Sequence, residues 1–175
     1  DEQTDYLKAS GGRADKPLLI TKVEGDSLFL TSDTLIAFRP DSLQNDSSRL
    51  LLAFNDVRIY KKNLQALCDS LVYSSVDSMF RLYQSPMIWS DTSQFSADTI
   101  HMQLAEGKID RILLFNKSFI INTPDEQFFN QVKGKYVTAF FESEEIRRME
   151  VKGNAESVYY AIDEENAYIL SLIHI

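Results

Sequence analysis

One cysteine, Cys68, stands in 175 residues, so no disulfide framework links this stretch, and cysteine usage leaves cytosol and periplasm equally open. No apolar run approaches the roughly 18 to 20 residues a helix needs to cross a bilayer. Basic residues are scarce. The 18 Lys and Arg set against 26 Asp and Glu leave a net charge of −8. That balance argues against nucleic acid as a partner, because such binding draws most of its affinity from cations neutralising phosphates. Two histidines and a lone cysteine give no metal-ligand spacing, so neither a metal nor a cofactor is expected. The six glycines offer no phosphate-cradling loop: the only adjacent pair, Gly11-Gly12, precedes Arg13 and opens no helix. Helical periodicity is not sustained over three turns anywhere. With 44% hydrophobic residues, the chain is long and apolar enough to bury a core as one domain.

What the sequence does have is strands. Residues 27–38, 49–60, 66–73, 80–89, 95–104, 108–115 and 136–141 are rich in β-branched and aromatic side chains. Asp, Asn, Ser and Gly clusters separate them roughly every 8 to 14 residues, which is an all-β signature. Among these clusters are Glu24-Gly25-Asp26, Asn45-Asp46-Ser47-Ser48 and Glu106-Gly107-Lys108. A short phrase also returns: small residue, Asp, any residue, aliphatic. It appears at Ser32-Asp33-Thr34-Leu35, Cys68-Asp69-Ser70-Leu71 and Ala97-Asp98-Thr99-Ile100, and more loosely at Gly134-Lys135-Tyr136-Val137. Intervals of about 30 to 40 residues mark stacked supersecondary units. A hairpin repeated along an axis, burying a continuous apolar face, is the expected architecture.

Alternate strand residues share a face, so Leu71 with Tyr73, Ile100 with Met102, and Val137 with Ala139 are expected to point inward. Ser70 with Val72 and Thr99 with His101 are expected to point outward. The Asp of each phrase shares the inward parity and is expected at a strand entrance, accepting from turn amides.

These phrases, with Arg81-Leu82-Tyr83, Pro86-Met87-Ile88-Trp89-Ser90, Gly107-Lys108-Ile109-Asp110-Arg111-Ile112 and Val158-Tyr159-Tyr160-Ala161, make the chain resemble the OstA/LptA family of lipopolysaccharide-transport proteins. The likeness spans roughly residues 6 to 169, and the particular similarity is to the OstA-like proteins of Bacteroidetes. The resemblance implies an open, V-shaped β-jellyroll of stacked hairpins, located in the periplasm or at the outer membrane. It implies lipopolysaccharide, through its lipid A acyl chains, as ligand. It also implies edge-strand contacts with other jellyrolls of the pathway, including a head-to-tail homo-oligomer. The fourth phrase departs from the pattern by carrying Lys135 in place of Asp, which leaves its register open.

On this reading the protein is not an enzyme. Leu71, Tyr73, Leu82, Ile100, Met102, Ile112, Leu114 and Val137 line an apolar groove that buries acyl chains at roughly 0.8 kcal/mol per CH₂. The alternative is a docking scaffold without a lipid ligand, offering open β-edges and filling its interior with Phe80, Phe95, Phe119 and Phe140. Recurrence of Asp33, Asp69 and Asp98 at equivalent positions speaks for a turn role over catalysis. Cys68 is expected to be a small buried hydrophobe and His101 a strand-face residue. Lys61-Lys62, Lys133 with Lys135, and Arg147-Arg148 are expected on solvated surface or at the groove mouth. Trp89 and the tyrosines could offer a sugar platform, though strand aromatics more often belong to a core.

Both ends look cut. The chain opens without methionine or a targeting segment. Leu170-Ser171-Leu172-Ile173-His174-Ile175 can be encoded as CTG TCT CTT ATA CAC ATC, the mosaic end of transposase-based sequencing libraries. Residues 170–175 are therefore expected to be adapter read-through, with residues 1–169 forming the natural domain and His174 carrying no function.

Overall fold

The computed structural model describes residues 6–12, 14–23, 26–39, 48–123, 126–162 and 168–174. The turn clusters at 24–25 and 45–47, and Arg13, lie outside them, as does the side chain of His174. Among the described residues all regular structure is β, with no helix. The strands are β1 (Tyr6–Ser10), β2 (Leu18–Val23), β3 (Asp26–Thr31), β4 (Thr34–Phe38), β5 (Leu50–Lys61), β6 (Leu64–Ser74), β7 (Met79–Tyr83) and β8 (Met87–Ser90). They continue with β9 (Ser93–Ser96), β10 (Thr99–Ala105), β11 (Lys108–Asn122), β12 (Asn130–Glu142), β13 (Glu145–Lys152), β14 (Glu156–Ile162) and β15 (Tyr168–His174).

The long strands β5, β6, β11 and β12 organise the molecule, because each pairs with one set of neighbours through its first half and another through its second. One ladder runs β1–β4–β5–β6–β7–β10–β11–β12–β13. The other runs β2–β3–β5–β6–β8–β9–β11–β12–β14–β15. Every pair is antiparallel. In the middle, β6–β7–β10–β11–β9–β8 closes on itself as a six-strand antiparallel barrel, with the remaining strands extending it to either side. The strand expected over 108–115 continues to Asn122, and the one expected over 136–141 begins at Asn130.

The repeated phrase marks the seam where the chain passes from one ladder to the other. Ser32, Cys68, Ala97 and Gly134 are buried on the inner side of this crease, where larger side chains would hold the ladders apart. The next inward residues are Leu35, Leu71, Ile100 and Val137, three positions on and not two. The intervening two residues turn the corner. Inward parity before the crease thus belongs to the small residue, which corrects the expectation that the Asp shares it. Asp33 and Asp98 do stand at the entrances of β4 and β10, but Asp69 lies inside β6. Their carboxylates meet side chains: Lys16 at 2.9 Å from Asp33, Lys117 at 3.2 Å from Asp98, and the Ser70 hydroxyl at 3.2 Å from Asp69.

The intervening segments cross the seam differently, within β5 and β11 and in the links from β7 to β8 and from β13 to β14. Asn55-Asp56, Gln84-Ser85, Asn116-Lys117 and Asn154 after Gly153 all take positive φ, between 47° and 78°. Asn, Asp and Gly tolerate this left-handed region best. In β5 and β11 the pair forms a bulge that shifts the ladder register. Backbone bonds join the two kinds of crossing along the seam: Asp33 N–H donates to Asn55 O at 3.0 Å, Asp98 to Asn116 at 3.0 Å, and Lys135 to Gly153 at 2.7 Å.

Inside the crease, two apolar faces meet. Leu30, Val57, Ile88, Phe95 and Ile120 come from one ladder and Leu71, Leu82, Ile100, Met102, Ile112 and Leu114 from the other, all essentially inaccessible to water. Each such side chain contributes about 1.5 to 3 kcal/mol relative to exposure.

Candidate functional site

The structure brings the eight expected groove residues together on one inner face, in two adjacent rows. Ladder register sets Leu71 beside Leu82, Leu82 beside Ile100, Ile100 beside Leu114 and Leu114 beside Val137. In the next row Tyr73 faces Phe80, Phe80 faces Met102, and Met102 faces Ile112. Seven of the eight are buried; Tyr73 is half-buried, its ring 4.3 Å from Phe80. Burial pushes the Tyr73 phenol above its ordinary value, with the Asp77 charge adding to the shift.

Around these rows the interior is filled. The space beneath the mouth, between Leu28, Leu64, Phe80 and Met102, measures about 30 Å³. A single water needs at least 10 to 15 Å³ on that measure, so there is room for a water or two and none for an acyl chain. Of the four phenylalanines considered as filling, Phe80 and Phe95 are inside. Phe119 and Phe140 lie on outward positions of β11 and β12, Phe119 between buried Ser118 and Ile120 and Phe140 next to buried Ala139. Phe140 carries the guanidinium of Arg148 at 4.2 Å from its ring centre.

Space opens at the carboxyl end. Between β12–β13 on one side and β9, β11, β12 and β14 on the other lies a cleft of about 800 Å³, which Ser171 and Ile173 of β15, in the stretch expected to be adapter read-through, also border. Its apolar lining includes Ile120, Val132, Phe141, Ile146 and Met149, and its polar lining Ser90, Ser93, Asn122 and Asn130. The polar side comes from one row of the second ladder, in which Leu64 is followed by Ser90, Ser93, Asn122 and Asn130. Asn122 donates to the Ser93 hydroxyl at 2.9 Å, and the Tyr160 amide donates to the Asn130 side-chain oxygen at 2.9 Å. Phe141 borders both this cleft and the filled mouth. No sequence signal singled out the cleft, because its walls meet only through the long-range pairing of β12 with both β13 and β14.

Charged groups also line the cleft: Asp91, Glu144, Glu145, Arg147 and Arg148. Arg147 meets Glu142 at 2.9 Å and Arg148 meets Glu150 at 3.2 Å, both at the cleft's edge. Lys133 meets Glu156 at 3.3 Å, and Lys135 lies 5.3 Å from the centre of the Tyr136 ring. Lys61 is buried at the mouth, whereas Lys62 is exposed. Burial pushes the Cys68 thiol up to about 12, so it is neither a thiolate nor a nucleophile near neutral pH. His101, on the outer face beside Phe115 at 4.7 Å, has its pKa lowered by burial and by Arg81. No group of three or more His, Cys, Asp or Glu among the described residues is placed to hold a metal. No helix there is long and apolar enough to cross a membrane. No protein-family model matches the chain, and neither does any curated protein.

Proposed function

We propose that the chain is a non-enzymatic lipid-binding and transport module of the Gram-negative envelope, of the OstA/LptA type. In this reading the two ladders are the arms of a V-shaped β-jellyroll. The lipid A part of lipopolysaccharide lies in the cleft at the carboxyl end, and edge strands pass it between jellyrolls in the periplasm or at the outer membrane. The observation that carries the reading is the cleft itself. Its volume of about 800 Å³ falls in the range of about 300 to 1,000 Å³ typical of ligand sites. Its apolar lining continues the inner rows through Ile120 and Val132.

Leu71, Leu82, Ile100, Met102, Ile112, Leu114 and Val137 then form the packed base of the site, and the ligand touches the residues beyond Phe141. A second reading, a docking scaffold without lipid, draws on the complete burial of those seven side chains.

In-cell photocrosslinking separates the two. A reactive residue at Val132, which lines the cleft, is expected to capture lipopolysaccharide; one at Gln131, on the opposite face, is not. Capture of proteins alone at both positions would favour the scaffold.

A further inference from the structure

Trp89 is the only tryptophan in the sequence, and it is not in the core. Its neighbours Ile88 and Ser90 are buried, so strand alternation turns the indole to the outer face of the second ladder. There a shallow depression of about 470 Å³ is bordered by Arg58, Tyr60, Gln65, Leu67 and Trp89. The register places Tyr60 beside Gln65 and Gln65 beside Trp89, so the two aromatic residues flank an amide. Two strand spacings separate them, about 10 Å. The indole N–H donates to the Gln94 side-chain oxygen at 3.0 Å, which pins the ring. Tyr60 is 54% exposed and Leu67 is 42% exposed. Arg58 is neutralised by Asp56 through two contacts, at 3.1 and 3.3 Å, so the depression carries no free charge from it.

We infer that this shelf is a binding site for a neutral glycan, with sugar rings stacking on Tyr60 and Trp89 and a hydroxyl bonding the Gln65 amide. Two rings about one disaccharide repeat apart, with an amide between them, match the alternating apolar faces and hydroxyls of an extended saccharide. A merely hydrophobic contact would make no use of Gln65, and an anionic ligand would find the nearby guanidinium already engaged. Tyrosine and tryptophan supply large contact area together with a polar handle. The site lies on the outer face and is independent of what the interior cleft holds.

Because Trp89 is alone, its fluorescence reports on this shelf without background. The full chain is titrated with cellohexaose, maltohexaose and chitohexaose. A saturable change with at least one of them is expected. Tyr60→Ala and Gln65→Ala should each weaken it about ten-fold with circular dichroism unchanged, while Phe54→Ala, on the outer face of the other ladder, leaves it intact. The inference is overturned by no saturable change with any of the three up to about 10 mM, or by binding that both shelf variants leave undiminished. A response only to phosphatidylglycerol vesicles would also overturn it, assigning the shelf to a membrane surface instead.

Discussion

The rings of Phe95 and Phe141, one from each ladder, meet with centroids 6.1 Å apart and planes tilted by 47°. Phe95 is fully buried, while Phe141 is half-buried between the packed mouth and the open cleft. The pair is the partition between filled and empty interior. Phe141→Ala should merge the two spaces and cost about 2 to 4 kcal/mol, near the lower end for a phenylalanine truncation because the ring is only half-buried. Urea denaturation measures the loss, and the proposed lipid site should then accept longer acyl chains.

A second contact spans the ladders at the mouth. The Asn63 amide, on the turn after β5, donates to the Glu144 carboxylate, on the turn after β12, at 3.1 Å. Ser143 and Glu144 both have positive φ, 53° and 69°, as a two-residue hairpin turn requires. The bond is exposed, so Asn63→Ala and Glu144→Ala should each cost no more than about 1 kcal/mol. A double-mutant cycle should return a coupling of about 0.5 kcal/mol or more, and a coupling of zero would show that the turns merely lie close.

At the crease, a methyl added to Gly134 would lie 2.5 Å from Val151 Cγ1. Gly134→Ala should therefore destabilise by about 1 to 3 kcal/mol through overpacking. Val151→Ala in the same chain should recover part of that loss. Thermal denaturation of the single and double variants checks it.

The all-β class was legible because turn residues and β-branched runs are local signals. The inward set from Leu71 to Val137 was legible because it lies wholly beyond the crease, where strict alternation holds. The crease was not. Asp69-Ser70 and Lys135-Tyr136 break the two-residue period, so parity fails when carried across them, and Phe119 and Phe140, named as filling for their bulk, lie on outward positions. Barrel closure was hidden for a different reason: β6 must pair with β8, and β9 with β11, through half-strands whose partners are set by the corner geometry. Residue type left Trp89 between a sugar platform and a core, whereas Ile88 and Ser90 determine its direction.

Cys68 gives a pH signature. Burial raises the thiol from an ordinary value near 9 to about 12, so the folded state holds the proton more tightly than the unfolded chain. The stability this contributes is complete below pH 9 and is lost as pH rises toward 12. Denaturation midpoints should fall over that window, and Cys68→Ala should remove the thiol's share of the fall.

The most direct test of the lipid-binding account is native mass spectrometry of the full chain with lipid A. The apolar cleft is expected to hold one lipid A molecule per protein. Ile146→Asp, which places a charge on its lining from the edge strand β13, should abolish the adduct while circular dichroism still shows a folded β protein. No adduct on the unaltered chain, or an equal adduct on the variant, would contradict the account.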